Sequence, residues 1–259
     1  MGLFGKMFEK KTCAFCGGEI GMLGNRKLED GNMCKKCAAK LSPWFSDRRR
    51  STVETIGKQL EYREANKEAV AKFKPTLTFG TDTKVYLDED DRKFVVTRAN
   101  PNRFSEENPD VIDFSQVTGV DIDIDEDTTE DMREDKEGNE ISYNPPRFFY
   151  SYDFNVIIRV NSPYFDEIKF RLNSSDVETN PENSVPANMK PYPEMNQDYA
   201  EYKKMGEDIK NALTSARQQV RDEAAAARVP KQAVVCQCCG ASTIPDDNGR
   251  CEYCGGAAI

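Results

Sequence analysis

The chain has 259 residues, 38% of them hydrophobic and 31% charged, with no histidine. That is more than one ordinary domain needs, no apolar run approaches the roughly 18 residues of a membrane-spanning helix, and MGLFGKMFEKK at the start is too short and too charged for a secretory signal. The missing histidine removes the commonest general base, and the expected compartment is the cytoplasm, where thiols stay reduced. Net charge is -9, but the first fifty residues hold eleven Lys or Arg against five Asp or Glu, so +6 at this end faces -15 over the rest.

In the first residues Leu3, Phe4, Met7 and Phe8 share one side of a short helix, with Lys6, Lys10 and Lys11 beside them. The pattern suits contact with an anionic membrane surface or a cover for the module that follows. Gly2 resembles a myristoylation start, but Lys6 stands where Ser or Thr is required, so lipidation is not expected.

Cys13, Cys16, Cys34 and Cys37 form two Cys-x-x-Cys pairs, and the five other cysteines, Cys236, Cys238, Cys239, Cys251 and Cys254, lie at the far end. A thioredoxin-like redox pair belongs beside a βαβ pattern, which is absent. Two Cys-x-x-Cys turns instead complete the tetrahedron zinc prefers, with no position left for water or substrate. Gly17-Gly18 permits a tight knuckle after Cys16, Asp30-Gly31 supplies a hairpin turn, and Cys34 to Cys37 runs into a helix start. Residues 1–45 are therefore read as a treble clef with one structural Zn2+. With four thiolates and a divalent ion the first fifty residues stay at about +4, so Arg26, Lys27, Lys35, Lys36, Arg48, Arg49 and Arg50 are candidates for a nucleic-acid or other anionic surface. The stretch resembles an uncharacterised bacterial domain-of-unknown-function family with an N-terminal four-cysteine treble clef, over about residues 10–45. Its spacing is also similar to the zinc-binding domain of the ClpX-type unfoldase.

Residues 46–75 are expected to be a connecting helix, opened by a capping box in Ser51 and Glu54 and closed by Pro75. Over residues 76–194 the period changes to two. A hairpin around Asp88 to Asp91, strands over 117–125, 148–160 and 167–172, and a Pro- and Asn-rich loop suggest an antiparallel roll or barrel. Acidic residues 123–134 place Asp123, Asp125, Asp127, Asp131 and Glu134 at oxygen-ligand spacings of a calcium loop, but Thr128 stands where that loop needs glycine, and a solvated hairpin tip is the preferred reading. Residues 195–229 repeat at three and four through Tyr199, Tyr202, Met205, Ile209, Leu213, Ala216 and Val220, one long amphipathic helix. Its Ala-rich end could be an arm or a coiled coil with a second chain. In strand order, sheet followed by helix resembles the bacterial pleckstrin-homology-like fold, where such a helix plugs a barrel.

Residues 230–259 read as a zinc ribbon holding a second structural Zn2+ through Cys236, Cys239, Cys251 and Cys254, with either Cys236 or Cys238 able to reach the ion. No Gly-rich phosphate loop or Gly-x-Ser-x-Gly elbow occurs. The expectation is a multidomain α+β, non-catalytic adaptor for protein partners, cytoplasmic and open to membrane association. Nucleic-acid binding through the basic N-terminal module is the alternative.

Overall fold

A computed structural model describes residues 11–228, 233–246 and 248–258. Leu3, Phe4, Met7 and Phe8 lie outside the described residues. The chain divides into two units, the first ending at Arg217 and the second beginning at Gln218.

The first unit opens with two small antiparallel pairs, β1 (Lys11–Thr12) with β2 (Glu19–Ile20) and β3 (Asn25–Lys27) with β4 (Asn32–Cys34), followed by a single turn of helix, α1 (Lys35–Ala38). A 3-10 turn, Asp47–Arg50, leads into α2 (Val53–Lys72). The expected capping box on Ser51 and Glu54 is not formed. Ser51 Oγ donates to Asp47 O at 2.9 Å and Glu54 pairs with Lys58, so the helix starts one residue later, with Thr52 Oγ1 accepting from Thr55 N at 3.2 Å. The finger contributes as well, because Asp30 Oδ1 accepts from Val53 N at 2.7 Å. Gly31 is needed for space: a Cβ there would come within 2.6 Å of a Val53 methyl.

α2 does more than connect. Its first half supplies Val53, Ile56 and Leu60 to a core shared with Leu28, Met33, Leu41 and two metal-site cysteines, and its last turn packs Val70 and Phe73 on Tyr86, Val95 and Phe104. About forty residues cannot bury a sufficient core alone, and the helix supplies the missing wall. Lys74-Pro75 ends it, since the residue before proline is pushed out of helical geometry.

Two antiparallel sheets follow. The first has order β5 (Leu77–Phe79), β6 (Lys84–Asp88), β7 (Lys93–Thr97), β8 (Ile112–Asp113), with the short α3 (Phe104–Glu107) between its last two strands. In the second, β10 (Glu140–Val160) is central, flanked on one side by β9 (Val117–Glu134) and on the other by β11 (Glu167–Arg171), β12 (Val177–Glu178) and β13 (Val185–Pro186). Tyr150, Tyr152, Phe154, Val156, Ile158 and Val160 are all buried, as the alternation requires. Among the described residues the strands form no closed barrel.

Two expectations change here. The segment after β11 is no plain loop: Asn173 Oδ1 accepts from Phe154 N at 2.8 Å and Asn180 Oδ1 from Tyr150 N at 3.0 Å, so asparagine side chains continue the ladder along β10 where strand pairing lapses. Residues 123–134 lie within β9 rather than at a hairpin tip, which is Asp135–Asn139. Asp123, Asp125, Asp127 and Asp131 share one strand face, but at about 3.3 Å per residue they are spread too far to converge on one ion.

The last helix, α4 (Gln197–Arg228), crosses the boundary between the units. In the first unit Tyr199 meets Phe154 and Tyr152 edge-on with centroids at 5.0 Å, and Ile209, Leu213 and Ala216 are buried. Gly206 lets the helix approach β9, since a Cβ there would sit 3.2 Å from Ile122. Ala224 to Ala227 are exposed. The second unit continues into a pair of short strands, β14 (Val234–Val235) and β15 (Ser242–Thr243).

Candidate metal centres

Three of the four Cys-x-x-Cys turns have the same backbone. Cys13 N donates to Gly18 O and Gly17 N to Cys13 O; Cys236 N to Ala241 O and Gly240 N to Cys236 O; Cys251 N to Gly256 O and Gly255 N to Cys251 O, all at 2.8–2.9 Å. Each requires a left-handed residue just after the second cysteine, and Gly17, Gly240 and Gly255 have φ of 68°, 71° and 68°. A side chain there would be strained. The fourth pair differs because Cys34 is the N-cap of α1 and its sulfur accepts from Cys37 N at 3.4 Å. One group is thus held by a knuckle and a helix start, and the other by two knuckles.

The sulfurs converge. Within each group, Cys13, Cys16, Cys34, Cys37 and Cys236, Cys239, Cys251, Cys254, all ligand atoms lie within 4.8 Å of one another. The closest approaches are 3.8 Å for Cys16–Cys34, 3.6 Å for Cys236–Cys254 and 3.8 Å for Cys239–Cys251. These are far from the roughly 2.05 Å of a disulfide, and all nine cysteines are free thiols. A tetrahedron with metal–sulfur bonds of about 2.3 Å has edges of about 3.8 Å. Either group can hold a metal ion.

Protonation tells the same story. Burial raises Cys13, yet amides of Cys34, Phe15 and Cys16 outweigh it and bring the thiol down to about 6. Burial and the sulfurs of Cys34, Cys16 and Cys13 push Cys37 up to about 12. In the second group burial likewise raises Cys251, but the amides of Cys254 and Tyr253 take it to about 6. Cys254, lowered by the Gly256 amide, is carried up to about 12 by the sulfurs of Cys239 and Cys236. Four sulfurs in contact cannot all be thiolates until a cation stands between them.

Of Cys236 and Cys238, it is Cys236 that the knuckle turns into the four-sulfur group. Its hydrogen bonds close around Cys236, which is buried, while Cys238 is exposed and outside the group.

Of the basic candidates, Arg26 and Lys27 lie on β3, and Arg48 Nη1 donates to Lys27 O at 2.7 Å, bringing the 3-10 turn against that strand. Arg50 pairs with Asp47 at 3.5 Å, and Lys35 and Lys36 are exposed on α1.

A buried polar network escaped the sequence reading. Arg63 Nη1 meets Asp110 Oδ1 at 2.6 Å with both side chains buried, Ser42 Oγ donates to Asp110 Oδ2 at 2.8 Å, and Arg63 Nε reaches Lys40 O. Asn66 completes it through Pro109 O and Val111 N. Its only signal was polar residues, Gln59, Arg63 and Asn66, at core spacing between Ile56 and Val70.

Fold and sites together define a mixed helix-and-sheet protein carrying two four-cysteine groups that fit zinc-binding modules. Residues 12–59 match the family described as Domain of unknown function (DUF4428). No curated protein and no solved structure matches the chain significantly. The matched region runs past the cysteines into α2, the span over which the helix completes the finger's core.

Proposed function

We propose that the chain is a non-catalytic adaptor in which two zinc ions fix small recognition surfaces for protein partners. The observation that carries this reading is that each metal group is closed: four cysteine sulfurs fill a tetrahedral shell, leaving no position at which an ion could activate water or bind substrate. Such a site supplies folding free energy instead, and zinc is the divalent ion that sulfur-only tetrahedra suit best. The order of the central strands and α4 supports a pleckstrin-homology-like arrangement left open at its edges. That no helix among the described residues is long and apolar enough to cross a membrane agrees with a cytoplasmic protein, and α4 offers a surface for self-association.

The test joins metal content to capture. Native mass spectrometry should find two zinc ions per chain, and an affinity pull-down should recover a stoichiometric protein that is lost from either Cys13→Ser/Cys37→Ser or Cys236→Ser/Cys254→Ser. Capture that survives both double substitutions would overturn the adaptor reading. Nucleic-acid binding is the second reading, favoured by the cluster of Arg26, Lys27, Arg48 and Arg49; it requires retention on nucleic acid that weakens steeply with salt.

A further inference from the structure

The turn between β2 and β3, Gly21-Met22-Leu23-Gly24, is closed by Gly24 N donating to Gly21 O at 2.9 Å, which puts Met22 and Leu23 at its two central positions. Gly, Pro, Asn, Asp and Ser ordinarily fill such positions. Here two large apolar side chains stand 90% and 93% exposed. A single exposed leucine needs no explanation, but adjacent ones at a turn tip form a projecting apolar point. The turn is tethered on both sides, because β2 pairs with the strand entering the first cysteine knuckle and β3 pairs with the strand ending at Cys34.

The basic cluster stands beside this point. Arg26 Nη1 lies 3.5 Å from Leu23 O and 3.4 Å from Asn25 O, and Arg48 Nη1 is bonded to Lys27 O. Burial, then the charges of Arg49 and Arg26, lower the Arg48 guanidinium from its ordinary value, so the three cations crowd one another. None of the three pairs with a carboxylate among the described residues. An apolar point with Arg26 at its base, and Lys27 and Arg48 on the strand and turn behind it, is complementary to a surface that is anionic outside and apolar within.

We infer that the Met22-Leu23 turn is a membrane-inserting tip, entering the acyl boundary of an anionic bilayer while Arg26, Lys27, Arg48 and Arg49 hold the lipid headgroups. A bilayer accepts any apolar point of this size and adds an electrostatic contribution for each nearby cation. Nucleic acid fits less well, since a thioether and an isobutyl group offer no aromatic platform or hydrogen bond to a base. The tip depends on a folded finger and not on the adaptor reading, so failed protein capture leaves it standing.

The experiment is sedimentation of the full zinc-loaded chain with vesicles of phosphatidylcholine alone or with about one-third phosphatidylserine. The chain should pellet with the anionic vesicles only, and less as salt rises. Met22→Ser/Leu23→Ser should lower its partition coefficient about tenfold or more with metal content unchanged. Leu23→Trp, which keeps an interfacial side chain, should bind at least as well as the parent and keeps the test decisive if the serine variant misfolds. Equal partition of parent and serine variant, absence of vesicle binding, or salt-sensitive retention on duplex DNA or an acidic protein in place of vesicles would each overturn the inference.

Discussion

At the scale of single residues, the metal groups depend on which sulfur the backbone aims inward. In the C-terminal knuckle the same pair of hydrogen bonds that orders Cys13 and Cys251 closes around Cys236. Cys236→Ser should therefore leave one metal ion per chain, and Cys238→Ser should leave two, read by native mass spectrometry. The reverse result would mean that the register of the knuckle is shifted. Acid acts on these sites in one direction, because binding needs deprotonated sulfur and expels the protons that sites such as Cys37 otherwise retain.

Among the elements, α2 is joined to the segment before β8 by the Arg63–Asp110 pair. Removing one partner of a buried pair leaves a buried uncompensated charge and costs about 3–5 kcal/mol, so Arg63→Ala should lower unfolding free energy by about that amount near neutral pH. The loss should depend on pH with a definite sign. Burial raises the Asp110 carboxyl above its ordinary value, with Arg63 and Ser42 pulling the other way, and removing Arg63 raises it further. A carboxyl raised in the folded state holds its proton more tightly folded than unfolded. Its contribution is thus fully present below the unfolded value near 4 and is lost as pH rises through the folded one. The deficit of Arg63→Ala should accordingly shrink on acidification from neutral pH to about 4, measured by urea unfolding; a deficit independent of pH would show that Asp110 is not the group left behind.

Elements also show where sequence patterns mislead. The alternation in VTGVDIDID was legible as a strand, but its continuation to Glu134 was not, because Asp, Glu and Thr beyond Asp125 carry no apolar alternation. β10 supplies the partner that holds them extended, residue against residue from Asp125↔Asp153 to Asp131↔Arg147. The same pairing removed the calcium-loop geometry that the carboxylate spacing had suggested.

For the whole molecule, the decisive feature is the separation into two units, one ending at Arg217 and one starting at Gln218. Each holds one four-sulfur group, so each should fold on its own ion. Cys251→Ser/Cys254→Ser should halve the metal content and leave the calorimetric transition of the first unit where it was; a shift of several degrees would show that the units unfold together. By contrast, Cys34→Ser/Cys37→Ser should destabilise the first unit beyond the finger, because Ile56 and Leu60 of α2 lose the core they share with it.

The sequence by itself determined the two cysteine groups, the knuckle glycines, the strand hairpins and the long amphipathic helix, because ligand spacing, left-handed turns and hydrophobic period are written in neighbouring residues. Only the tertiary structure decided that Cys236 and not Cys238 joins the four-sulfur group, that Asp30 accepts from the first amide of α2, that Arg63 and Asp110 meet 47 positions apart, and that Met22 and Leu23 are left uncovered. Each of these depends on what a distant segment brings to the same place, and whether a side chain is paired, buried or bare is fixed by that neighbour rather than by its own stretch of chain.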